Sequence, residues 1–215
     1  DELMKYWNEE TMQDDLYMVS RDGWKVTVKL PLSKNGKNKG NVKKSFAYTE
    51  LECDLVPVDV LIGHYFATEA AQIEKAGQMI DAEQAAMEAI VEEYGDTFED
   101  IPYENVNGNF IKGVRSLIKE GKRNPKLYAE MLEVWEDFDK HSKAQEKQKD
   151  LLKELIKKLT AAIQTQYAKL DENDIRQLVF DDKWMPSLLG RITNLMDSAQ
   201  QEIISSIKDL NERYE

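Results

Sequence analysis

Apolar residues recur every seven positions in two stretches of this chain, and that repeat constrains the fold more than any other feature. Phe66, Ile73, Ile80, Met87 and Tyr94 form one series, with Ala76 and Ile90 between them. Leu189, Met196, Ile203 and Leu210 form the other, flanked by Ile192, Ala199 and Ile207. A seven-residue period places such side chains along one side of a helix, as a seam that other helices must cover. The first series predicts a helix of about 35 residues, opening after Pro57 and ending at Gly95.

The rest of the chain fits around those helices. Asn124-Pro125 reads as a cap and first helical residue. It predicts a second long helix whose apolar face carries Trp135, Phe138, Leu152, Leu155, Leu159, Ile163 and Leu170. That face turns polar between Ser142 and Lys149, through Gln145 and Gln148. A short helix is expected from Asn109 to Glu120, after an acidic loop containing Pro102. Near the end, a short helix around Asp174 to Phe180 precedes a final helix with Pro186 in its first turn.

Only the beginning reads as β. Leu16-Tyr17-Met18-Val19 and the run from Trp24 to Leu30 flank Asp22-Gly23, a strong hairpin signal because both turn residues tolerate positive φ. A third candidate strand runs from about Ser45 to Val56. The expected fold is therefore mainly α: a long antiparallel helical hairpin or coiled-coil bundle with a small N-terminal antiparallel β element. The expected segments are 1–56 (mixed helix and β-hairpin), 57–171 (helical hairpin with an inserted connector) and 172–215 (short helix plus amphipathic helix). Leu3, Met4, Tyr6 and Trp7 read as an amphipathic helix already under way, which suggests a piece of a larger protein.

Charge and chemistry narrow the function. Lys and Arg number 29 against 41 Asp and Glu, a net charge of −12 over 215 residues. A net anion is a poor general partner for nucleic acid, so only segregated charge could bind it. No apolar run reaches the length of a membrane span, so no membrane partner is expected and the chain reads as cytoplasmic. One cysteine (Cys53) and two histidines (His64, His141) are too few for a His/Cys metal cage. No Gly-x-Gly pair or Gly-Lys-Ser/Thr triplet offers a phosphate-binding loop. Cys53 reads as structural, and His64 as a packing or capping residue. The acid pairs Asp14-Asp15 and Asp181-Asp182 read as caps or turn residues ahead of hydrolytic or Mg²⁺-binding groups. No catalytic, cofactor-binding or metal residue is expected. One island stands out: no acid occurs between Gly23 and Thr49, where lysines stand at 25, 29, 34, 37, 39, 43 and 44. Lys34, Lys37, Lys39, Lys43 and Lys44 are the candidate DNA contacts.

Several passages resemble methylation subunits of type I restriction-modification enzymes. Tyr6-Trp7-Asn8-Glu9-Glu10-Thr11-Met12-Gln13-Asp14-Asp15-Leu16-Tyr17 with Asp22-Gly23-Trp24 is similar to a passage that lies after their catalytic domain. Cys53-Asp54-Leu55-Val56-Pro57 with Tyr65-Phe66 resembles the next block, the stretch from Leu170 to Trp184 a third, and Leu210-Asn211-Glu212-Arg213-Tyr214-Glu215 a fourth. The family methylates adenine at N6 with S-adenosylmethionine, through a glycine-rich motif and an Asn-Pro-Pro-aromatic motif. Neither is present: Asn124-Pro125 is followed by Lys126-Leu127. The segment from about Glu92 to Arg123 departs from the family pattern.

The resemblance implies a non-catalytic C-terminal region, with S-adenosylmethionine bound by the parent's catalytic domain. It implies packing on the specificity subunit, beside a second methylation subunit and the restriction subunit, with DNA bound in the assembly. Leu189, Ile192, Met196, Ile203, Ile207 and Leu210 are the expected partner interface; the same stripe could instead close the chain's own bundle. The alternative reading is an independent coiled-coil scaffold whose lysine-rich hairpin contacts an anionic partner. If the lysine island contacts DNA, reversing its charges will weaken DNA binding by the intact assembly and flatten the dependence of affinity on salt.

Overall fold

The computed structural model describes residues 2–6, 15–33, 40–43, 45–99, 101 and 106–214. The chain is mainly helical: α1 (Glu2–Tyr6), α2 (Leu16–Asp22), α3 (Val58–Tyr65), α4 (Ala67–Glu93), α5 (Gly108–Arg123), α6 (Ala129–Tyr167), α7 (Glu172–Gln177) and α8 (Met185–Tyr214). A π-helical segment, Leu178–Trp184, joins α7 to α8 without a break. Two compact units emerge, one of residues 1–67 with 159–215 and one of residues 68–158.

The expected N-terminal β element is not there. Among the described residues there is no strand or sheet, only two isolated antiparallel bridges, Lys29 to Glu52 and Leu32 to Val42. The first supposed strand is helix α2, and Asp22-Gly23 ends that helix instead of turning a hairpin. Gly23 takes φ 74° and its N–H returns to the Val19 carbonyl at 2.9 Å. A helix C-terminus and a tight hairpin make the same demand for positive φ, so glycine marks both. Residues Trp24 to Lys29 alternate between half-buried and exposed, as a strand would, but beyond the single Lys29 bridge no ladder forms along them.

The helix expected to run unbroken from Val58 is two helices. The chain leaves helical geometry at Phe66 (φ −131°, ψ 24°) between α3 and α4. In the first unit, Leu61 and Val58 of α3 are buried, as are Leu159 and Ile163 near the end of α6. The Tyr167 hydroxyl donates to the Val56 carbonyl at 2.8 Å, and burial raises its pKa. A capping box opens α7: the Asp171 carboxylate accepts from the Asn173 and Asp174 amides while Asp174 accepts from the Asp171 amide.

In the second unit α4 and α6 run antiparallel, since Gln145 meets Ile80 while Met87 and Val91, further along α4, share a core with Trp135 and Phe138, earlier on α6. Its apolar core gathers Met87, Val91, Phe98, Phe110, Val114, Ile118, Trp135 and Phe138. Three of its phenyl rings are mutually in contact, with centroids 5.6 to 5.9 Å apart. Asn107 caps α5 by accepting from the amides of Asn109 and Phe110. Gly121 lets α5 lie close to α6: a Cβ there would stand 3.1 Å from Leu132 and 3.3 Å from Trp135.

Where the α6 face turns polar, a layer of hydrogen bonds replaces apolar packing. Gln145 donates to Gln84 at 2.9 Å and to the Ile80 carbonyl at 3.4 Å. Arg115 of α5 donates to Asp139, Ser142 and Glu146. Burial opposes ionisation of Asp139, yet hydrogen bonds from Lys143 and Arg115 outweigh it and hold its pKa below the ordinary carboxylate value. A depressed folded-state pKa contributes stability above the unfolded value of about 4, and that contribution vanishes as pH falls through the folded pKa. Asp139→Asn should therefore destabilise the chain at neutral pH and flatten the loss of stability on acidification below about pH 4, measured by urea denaturation across pH.

Candidate functional site

Asp15 is buried at 4% exposure, and both carboxylate oxygens are engaged. The Trp184 indole N–H donates to Oδ2 at 2.7 Å and the Lys183 ammonium to Oδ1 at 2.7 Å. Lys183 Nζ also donates to the carbonyls of Asp54 and Leu55, at 3.0 and 3.1 Å. An ammonium has three N–H donors, and each has an acceptor here. Around this clasp His64 Nδ1 lies 2.8 Å from Asp182 Oδ2, and Trp24 packs on Phe180 while the Arg176 guanidinium lies over its ring. Phe180 in turn meets Trp184 edge-on at 4.7 Å.

The clasp fixes the root of α8. In the π segment the Met185 N–H reaches back to the Phe180 carbonyl, five residues away, immediately before Pro186. Proline has no N–H to give and its ring crowds the carbonyl four residues earlier, so a widened turn relieves both faults at once. Pro186 is the second residue of α8, in its first turn as expected, and the π segment runs into that helix without a break. Beyond the root, α8 contains no buried residue. Met196, Ile203 and Ile207 are 60% or more exposed, and Leu189, Leu210 and Ile192 are also open to solvent. Leu195 and Tyr214 extend the apolar surface. Thirty residues make a rod of about 45 Å, and the exposed apolar positions from Leu189 to Tyr214 run along about 38 Å of it.

The other sequence candidates are more scattered. Lys34, Lys37, Lys39 and Lys44 lie outside the described residues, as does Asp14. Lys43 is ion-paired with Glu50, and Lys29 with Asp54 at 2.7 Å. Cys53 is buried, which pushes its thiol pKa up and away from reactivity. His64 and Asp182 bind each other, and Asp15 is committed to Lys183 and Trp184. Among the described residues no group of three or more His, Cys, Asp or Glu could hold a metal ion, and no helix is long and apolar enough to cross a membrane.

No family model matches the sequence, and no curated protein or solved structure matches it either. The geometry is therefore the main guide to what this region does. It pairs a rigid polar root with a long apolar helix face. The clasp escaped sequence reading because its members are 168 and 169 residues apart.

Asp15→Ala would leave the Lys183 ammonium and the Trp184 N–H without their anion. A broken buried pair costs about 3 kcal/mol at the low end. The expected result is a lower urea midpoint with loss of the Trp184 environment in fluorescence, and an unchanged midpoint would refute the clasp.

Proposed function

We propose that this chain is a non-catalytic assembly and DNA-clamping region of a type I restriction-modification adenine-N6 methyltransferase subunit, acting in the cytoplasm. In this reading α8 packs on the helices of the specificity subunit, and a second methylation subunit and the restriction subunit complete the assembly. S-adenosylmethionine binds the catalytic domain of the parent protein, and this region supplies attachment. The observation that carries the proposal is the uncovered apolar face of α8, held at one end by a saturated polar clasp.

Two further points support it. An amphipathic helix gains most of its stability from burial of its apolar face, so a face left open is made for a partner. The passages that resemble the methylation subunits also meet in space: Asp15 and Trp24 come from the first, Asp54 and Leu55 from the second, and Phe180, Lys183 and Trp184 from the third. Residues scattered along the sequence but gathered in one clasp are those a family would share.

The test is capture of the chain by the specificity subunit encoded beside it. Wild type should bind, and Met196→Asp with Ile203→Asp should abolish binding. Both positions are exposed, so the variant should keep its fold, checked by circular dichroism. A folded wild-type chain that the specificity subunit ignores would overturn the proposal and favour the independent scaffold.

A further inference from the structure

A second concentration of positive charge lies on α5, remote in sequence from the lysine island. Residues 105–129 hold six Lys and Arg against a single acid, Glu120. Their neighbours are the reverse. Residues 76–104 contain nine acids and 130–139 five, with no Lys or Arg in either stretch. In a chain of net charge −12, segregation this sharp needs a physical explanation.

Part of it is internal. Arg115 pairs with Asp139 and Glu146, and Lys122 with Glu136 at 2.8 Å, tying α5 to α6. Lys112, Lys119 and Arg123 do something else. All three are exposed, and among the described residues no carboxylate pairs with them. At 3.6 residues per turn they fall within about 40° of one line along the helix, spaced by about 10 and 6 Å. Phe110, Val114, Ile118 and Gly121, on the opposite side, are buried in the core. The cationic line is therefore fixed outward by packing.

We propose that the outer face of α5 is a binding site for the phosphate backbone of duplex DNA, with Lys112, Lys119 and Arg123 as its contacts. Lysines on a rod act as adjustable point charges suited to a row of phosphates. Membrane attachment is the poorer fit, because a lipid-binding helix inserts its apolar face and this one is buried. The net negative charge of the chain repels a polyanion at long range, so binding must be local and strongly salt-dependent. The site differs from the lysine island, where Lys29 and Lys43 are already neutralised by acids, and it does not depend on which protein covers α8.

The experiment is fluorescence anisotropy of the 215-residue chain with a short labelled duplex. Three phosphate contacts give a slope of about −2.7 in log affinity against log salt, so affinity should fall about 40-fold between about 50 and 200 mM salt. Lys112→Glu, Lys119→Glu and Arg123→Glu together should remove that binding. Lys147→Glu, Lys153→Glu and Lys157→Glu on α6, an equal change in charge, should largely preserve it. Met196→Asp with Ile203→Asp should leave it intact, which separates this site from the assembly surface. Thermal melting confirms that each variant is folded. The proposal is overturned if wild type ignores DNA at low salt, if both triple variants lose binding equally, or if phosphatidylserine vesicles are bound in place of DNA.

Discussion

A carboxylate removed from water is costly unless each of its oxygens finds a donor, and Asp15 finds two of the best available, an ammonium and an indole N–H. The first unit is arranged to satisfy it. Lys183 reaches Asp15 only while its two other N–H groups hold the carbonyls of Asp54 and Leu55, so three remote segments must be in place together. The hydrogen bond from Tyr167 to Val56 secures the neighbouring carbonyl from the α6 side. Such a network is all-or-none, because a half-satisfied version would leave a buried charge with no counterpart. That explains how one end of α8 can be held firmly while the remainder stands in solvent.

The second unit solves a different problem with similar means. A pair of long helices with a purely apolar seam could slide by a turn and still bury much the same surface. Its polar layer removes that freedom. Gln145 meets Gln84 and the Ile80 carbonyl in one register of α4 on α6, and Arg115 fixes α5 against the same stretch of α6 through Asp139, Ser142 and Glu146. The phenyl cluster at Phe98, Phe110 and Phe138 supplies the driving force, and the polar layer selects the alignment.

What could be read from the sequence was whatever depends on local period. The heptads located α4 and α8, the glutamines located the polar layer, and the apolar face of α6 was visible from Trp135 to Ile163. Asp22-Gly23 misled because positive φ serves a helix end as well as a hairpin, and the β-rich composition of Leu16 to Val19 did not decide the matter. The clasp was invisible, since nothing local connects residue 15 with residues 183 and 184. The cationic face of α5 was legible in principle. The basic balance of residues 105–129 shows in a plain count of charge, but that Lys112, Lys119 and Arg123, seven and four apart, share one side shows only when they are placed on the helical period.

The π segment ties these points to function. Ile175 and Leu178 are buried, and in a regular helix the same seven-residue phase would run on through residue 182 to Leu189, Ile192 and Met196. Asp182 interrupts that phase in the sequence, and the π segment shifts it in the backbone. A turn closed from residue i to i+5 holds about one residue more than an α turn, and that residue rotates the succeeding helix by about 100°. Along α8 itself no residue on any face is buried, so solvent reaches every apolar position of its stripe. Pro186 makes the wide turn favourable, and the clasp at Lys183 and Trp184 holds it in place. A series that the sequence writes at heptad spacing thus stands uncovered along α8, a surface available to another molecule.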